Sequence, residues 1–372
     1  MNRDTARAEH QPDAPFARPG GGLFRSTRVR RPGEVNLKSC GLLHPRAAAF
    51  HAATLGRIDP VEILTYPVYD DTYALVADHL QVSTDTLVLT PGSDPGLGML
   101  LRAFPEARRI VIHTPNFGGW TKFARIADRT LDPVGPDPAT GLFRPADLLD
   151  RLRQGPPAFV VVTLPHSYTG QLHEAAELRA LADGVGEHGS LLVLDTAYLA
   201  FTEGGEELVR GLVGLPHVAR VNSFSKSHGL SGARVAALAL HPDQADRLFD
   251  LDPEAPVSGV SLALLRAALG APELFTEVQA EVRRLRDVFG TLVEQALPGW
   301  RARPSGGNFV TFDVPEPALA ASAFAFLHKH GYVTRDLSEL PGLPAALRIA
   351  VSDEETVHRV TALLAEWRRE QG

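Results

Sequence analysis

Short runs of apolar and β-branched residues recur in the first two thirds of the chain, at 86–90, 109–113, 159–164, 191–195, 219–223 and 235–240. Stretches with helical periodicity, such as 97–104 and 175–189, lie between most of them. Strands alternating with helices predict an α/β fold built on a mostly parallel, doubly wound sheet. In such a sheet ligands sit at the carboxyl ends of the strands. Beyond about residue 255 the texture changes. Long helices are expected over 257–269 and 277–297, broken at 270–272, with helices near 318–330 and 354–369 and short strands at 309–314 and 347–351. This pattern predicts a small α+β C-terminal domain. The expected organisation is an arm over 1–33, a large domain over 34–254 and a small domain over 255–372.

Composition narrows the function classes. The chain has 372 residues, of which 44% are hydrophobic and 22% charged, an ordinary globular balance. The formal net charge of −7 argues against a polyphosphate partner, so no nucleic acid is expected. A single cysteine, Cys40, allows neither an internal disulfide nor a thiolate metal cage, and it is expected to be a small buried side chain. No metal site is predicted. No apolar run reaches the roughly 18 residues that span a bilayer, and the first residues lack a signal-like apolar stretch. A cytoplasmic protein without a membrane partner is the expectation. Residues 1–33, rich in Pro, Gly and Arg, read as a solvated, flexible arm.

Polar residues cluster where the predicted strands end. Pro91-Gly92-Ser93-Asp94 follows the first run and Pro165-His166-Ser167-Tyr168-Thr169-Gly170 the third. Asp195-Thr196-Ala197-Tyr198 follows the fourth, and Ser223-Phe224-Ser225-Lys226 the fifth, continuing to Gly229, Gly232 and Arg234. Each cluster alone reads as a turn, a helix cap or a solvated loop. Their order along one chain is far more specific.

With these residues in that order, the sequence resembles the fold-type I pyridoxal-phosphate enzymes of aminotransferase class I/II, in the histidinol-phosphate aminotransferase-like branch. The resemblance covers about residues 60–370. It implies pyridoxal 5'-phosphate as cofactor, with Lys226 as the Schiff-base lysine and proton carrier. It also implies Asp195 against the pyridine nitrogen and Tyr198 as a donor to the ring oxygen O3′. The phosphate is expected at Gly92, Ser93 and Asp94, where a helix N-terminus attracts anions, with Ser223, Ser225 and Arg234 beside it. Phe117 matches the aromatic that stacks on the ring, and Trp120 is a second candidate. Tyr66 matches a tyrosine that reaches the phosphate of a neighbouring subunit, implying a homodimer with shared active sites. Arg348 matches the arginine that clamps the substrate carboxylate, Arg335 one that grips a distal phosphate, and Asn308 an asparagine near the substrate.

Two departures stand at the implied site. The family's Asn-Pro-Thr-Gly box reads Ser167-Tyr168-Thr169-Gly170 here, so the asparagine that serves O3′ is missing. Tyr198 is then left as the main donor, unless His166 or a water substitutes. The segment Asn36-Leu37-Lys38-Ser39-Cys40-Gly41 also lacks the family's Asn-Glu pair. An aminotransferase of specialised metabolism, exchanging nitrogen between an amino-acid substrate and a keto-acid co-substrate, is the leading expectation. A decarboxylase, an eliminating lyase or an oxidase on the same scaffold is the alternative, and a non-catalytic pyridoxal-phosphate-binding regulator is a third.

Overall fold

The computed structural model describes residues 32–343 and 345–371. The arm expected over 1–33 lies outside the described residues except for its last two. The strands are β1 Val35–Asn36, β2 Leu87–Thr90, β3 Arg109–His113, β4 Thr130–Val134, β5 Ala158–Thr163, β6 Leu191–Asp195, β7 Val218–Ser223 and β8 Ala236–Leu240. They continue with β9 Arg301–Ala302, β10 Phe309–Asp313, β11 Tyr332–Val333, β12 Arg335–Asp336 and β13 Ala346–Ala350.

Seven of these form the central sheet, in the order β2-β8-β7-β6-β5-β3-β4. The β3–β4, β3–β5, β5–β6 and β6–β7 pairs are parallel, while β8 runs antiparallel to both β2 and β7. Alternate residues of one strand serve opposite faces, as the two-residue period requires. Phe159 and Val161 pack with Leu97, Leu100 and Trp120, whereas Val160 and Val162 pack with Leu148, Leu178 and Val209. Both faces of β5 are therefore dry, which is why it reads as an almost unbroken apolar run. Strand β7 is equally buried but carries Arg220 and Asn222, which bond to Glu206 and Thr196.

The predicted strands all form, with ends shifted by one residue at most. Strand β4 was not expected. Its sequence, Thr-Leu-Asp-Pro-Val, carries a proline and few apolar residues, and it lies at the sheet edge, where a missing N–H costs no ladder bond.

After the sheet come helices Gly259–Leu269 and Pro272–Ala296, the second entered five residues earlier than predicted because Pro272 suits a first helical position. A four-stranded sheet, β12-β13-β10-β9, packs with helices Pro317–Lys329 and Glu354–Gln371. Strand β1 pairs in parallel with β11, and Leu37 O accepts from Ala350 N at 3.1 Å. This anchoring carries residues 38–41 across the carboxyl edge of the central sheet, where the strand-end clusters lie. Among the described residues no helix is long and apolar enough to cross a membrane.

Candidate active site

Each strand of the central sheet except β8 ends at the same edge, so the strand-end clusters converge. Asp195 closes β6 and is buried; Trp120 Nε1 donates to its Oδ2 at 3.4 Å and Ala197 N to its Oδ1 at 3.3 Å. Burial, only partly offset by these donors, pushes its carboxyl up to about 6. Tyr198 lies two residues into the following turn, edge-on to Phe309 with ring centroids 5.4 Å apart. Burial pushes its phenol upward as well.

Lys226 sits in the single turn Phe224–Ser227 after β7, half-buried, and donates from Nζ to Ser39 O at 2.6 Å. Arg348, buried at the middle of β13, donates from Nη2 to Lys38 O at 2.7 Å and from Nη1 to Ser167 O. Its guanidinium lies 5.4 Å from the Tyr168 ring centroid and 5.0 Å from that of Phe309. Asn308 Nδ2 donates to Cys40 O at 3.0 Å, while its Oδ1 is buried without a partner. Three successive carbonyls, of Lys38, Ser39 and Cys40, thus engage Arg348, Lys226 and Asn308. Nothing in the composition of that segment signalled this role, because backbone carbonyls carry no residue signature. Cys40 itself is fully buried, as expected, in a left-handed conformation with φ 52°.

Arg335 stands directly opposite Arg348 across the antiparallel β12–β13 pair, so both side chains leave the same face. Its guanidinium lies 5.8 Å from the Tyr168 ring centroid and its Nε is buried without a partner. Asp336, next to Arg335 in β12, accepts from Ser338 N and Oγ.

The helix Ser93–Ala103 opens at Gly92, whose φ of 91° favours glycine. A Cβ there would fall 2.4 Å from Arg234 Nη2. Glycine therefore lets the Arg234 guanidinium lie against the helix N-terminus, beside Ser93 and Asp94. Ser225 is buried nearby in sequence to Lys226, and its carbonyl accepts from Ser231 Oγ at 2.6 Å. Ser223 Oγ caps the short helix by accepting from Ser225 N at 3.4 Å, a local task that competes with the expected phosphate contact.

Of the two aromatic candidates, Trp120 is the one buried against Asp195, while Phe117 is 40% exposed with its ring folded over Gly119. Tyr66 projects outward and is 87% exposed. Ser167 Oγ donates to Asn116 Oδ1 at 3.1 Å, and both nitrogens of His166 are engaged, with Thr169 Oγ1 and Pro115 O. His166 is thus not free to replace the missing family asparagine.

This donor set fits pyridoxal phosphate. A lysine amine, a buried carboxyl, a glycine-made cradle holding a guanidinium, and the orphaned buried Nδ2 of Asn116 and Oδ1 of Asn308 share one sheet edge.

The comparisons with known proteins give the family and the fold. The family model "Aminotransferase class I and II" matches residues 61–364. A histidinol-phosphate aminotransferase of Deinococcus radiodurans is 29% identical over 301 residues, which are 80% of this chain and 80% of that protein. One of Haloquadratum walsbyi is 28% identical over 306 residues, covering 81% and 78%. The structure of the Sinorhizobium meliloti histidinol-phosphate aminotransferase with pyridoxal-5'-phosphate superposes with a TM-score of 0.78 at 22% identity, over 91% of this chain and 92% of that one.

Proposed function

Because the chain belongs to the class I and II aminotransferases, we propose that Lys226, Asp195, Tyr198 and Arg348 carry its reaction, within the pyridoxal-phosphate-dependent transfer of an amino group between an amino-acid substrate and a keto acid. When bound, pyridoxal phosphate supplies the electron sink for the substrate carbon that loses its proton. Lys226 would hold the cofactor covalently at rest and afterwards carry a proton to and from the substrate Cα. Asp195 would keep the ring nitrogen protonated, since a facing carboxylate favours the cationic form. Tyr198 would donate to O3′. Gly92, Ser93, Asp94, Ser225 and Arg234 would receive the phosphate, and Trp120 would orient Asp195.

One observation carries this reading. Lys226 and Arg348 hold carbonyls of adjacent residues, Ser39 O and Lys38 O, so an amine-handling group and a carboxylate-binding fork face sites one residue apart. The reacting amine and the carboxylate of an α-amino acid need that closeness. The cofactor would take over Lys226 Nζ from Ser39 O, and a substrate carboxylate would take over Arg348 from Lys38 O and Ser167 O, bound bidentately. Arg335, on the same face, supports a substrate with a second, distal anion, such as the phosphate named in the Deinococcus relative. In this reading residues 34–254 bear the cofactor and 255–372 form the smaller domain.

The exposed apolar run around the helix Val61–Leu64, with Ile63, Leu64 and Val68 all more than 70% exposed, supports a homodimer in which Tyr66 reaches the partner's phosphate site. A cytoplasmic location belongs to the same proposal.

The test is borohydride reduction of the loaded protein followed by peptide mapping, together with an amino-donor panel that includes histidinol phosphate. Label on Lys226 is expected, and turnover in Lys226→Ala should fall by roughly 1,000-fold or more. Label on another lysine would sink the assignment.

A further inference from the structure

Asn116 follows β3 in the loop that leads to Trp120, and its amide orientation is fixed by its surroundings. The backbone N–H of Phe117 donates to its side chain at 2.7 Å, Thr163 Oγ1 at 3.0 Å and Ser167 Oγ at 3.1 Å. A backbone N–H can only donate, so the atom it meets is the carbonyl Oδ1 and the other end is the NH2 group. That Nδ2 is buried and has no hydrogen-bond partner. A buried, unsatisfied amide N–H is costly, which points to a partner that the polypeptide does not supply.

The position of the amide identifies the partner. Thr163, one of its anchors, is paired in register with Asp195 across β5 and β6. Ser167, its other side-chain anchor, offers its own carbonyl to Arg348. Asn116 is therefore tied through Thr163 to the strand register of Asp195 and through Ser167 to Arg348, the two residues read as meeting the ring nitrogen and the substrate carboxylate. Ser167 occupies the box position at which the family's asparagine stands, and its side chain is too short to carry an amide to the same place. Its hydroxyl instead holds a second asparagine from a neighbouring loop.

We propose that Asn116, positioned by Ser167 and Thr163, is the second donor to the cofactor ring oxygen O3′ and replaces the asparagine missing from the Ser167-Tyr168-Thr169-Gly170 box. This rests on the reading of Lys226 as the cofactor-bearing lysine. The charged and titratable groups around this place are Lys226, Asp195, Tyr198, Cys40, Arg348 and His166, with Asp94 acting on Asp195 from the helix after β2. His166 bonds Pro115 O beside Asn116, and burial holds it well below the usual histidine range, hence neutral. Asn116 is neutral, so replacing it by alanine leaves that set of charges intact. A donor to O3′ draws off negative charge that would otherwise hold the proton on the Lys226–cofactor linkage.

The experiment is a pH titration of the visible absorbance of the cofactor-loaded wild type, Asn116→Ala, Ser167→Asn and the double variant. Borohydride mapping of the same wild-type preparation accompanies it. In Asn116→Ala the midpoint should rise by about 1 pH unit. In the double variant, where an asparagine returns at position 167, it should fall back toward the wild-type value, a rescue that a merely structural role for Asn116 would not give. Ser167→Asn alone should move it by less than about 0.3 unit, because O3′ is already served. An unmoved midpoint in Asn116→Ala, or no rescue in the double variant, overturns the proposal. Should Asn116→Ala fail to fold or load, Ser167→Asn decides: a midpoint lowered by about 1 unit would show O3′ short of a donor and overturn it, and an unchanged one supports it. Label on a lysine other than Lys226 would bring down the site reading and this proposal together, whereas label on Lys226 with an unmoved midpoint removes only Asn116.

Discussion

Lys226 Nζ and Arg348 Nη2 donate to the carbonyls of two successive residues, Ser39 at 2.6 Å and Lys38 at 2.7 Å. The lysine comes from the end of a central strand and the arginine from the second sheet, more than 120 residues later in the chain. The segment after β1, pinned by the pairing of β1 with β11, brings both onto one stretch of backbone.

Arg348→Lys should weaken binding of the true amino-acid substrate by about 10- to 100-fold, the worth of one charge-assisted hydrogen bond lost from a fork. The resting visible spectrum should stay unchanged, because the arginine does not hold the cofactor. Spectral titration with substrate measures both, and unchanged affinity would place the carboxylate elsewhere.

Asp195 gives a pH signature. With its carboxyl raised to about 6 in the chain without cofactor, the folded protein keeps a proton that the unfolded chain has already released. Stability then falls as pH rises from about 4 to 6, and the cost is full above that window. Cofactor-free Asp195→Asn should therefore melt a few degrees above the wild type at pH 8, with the gap closing toward pH 4. Loaded with cofactor, the wild type should be the more stable, because its carboxylate then faces a protonated nitrogen. Calorimetry at both pH values, with and without cofactor, checks the reversal; a variant that melts lower without cofactor at pH 8 would contradict it.

The histidines under the sheet edge predict acid sensitivity of the opposite sign. Burial lowers His113 and His173 to about 4, and for His113 the neighbouring His173 adds to the effect. The unfolded chain takes up protons below about 6.5, while the folded one refuses them until about 4, so stability is lost as pH falls through that window. His173→Gln should lose about 2 kcal/mol less than the wild type between pH 7 and 5. Parallel denaturant titrations with equal slopes would show that the folded chain accommodates the proton.

Ile63→Glu with Leu64→Glu should shift the protein toward monomer, since both side chains are largely exposed in the single chain. Sedimentation velocity reads the change. If a dimer forms and persists unaltered, its interface lies away from the helix Val61–Leu64.

The sequence by itself determined the central sheet and the identity of most residues at its edge. Strands buried on both faces are largely apolar, so runs such as 191–195 stand out, and Asp195 at the end of β6 and Lys226 just beyond β7 mark where they end. Strand β4 escaped because an edge strand with Pro133 obeys neither rule. Asn116 escaped for a different reason: an asparagine after a strand looks like a turn residue, and only its contacts with Thr163 and Ser167 reveal a fixed amide with an unspent donor. The same holds for the carbonyls of Lys38, Ser39 and Cys40. Tertiary structure decided these, because a backbone oxygen or a loop amide acquires its partner from a remote segment of the chain, and no local pattern records which segment will arrive.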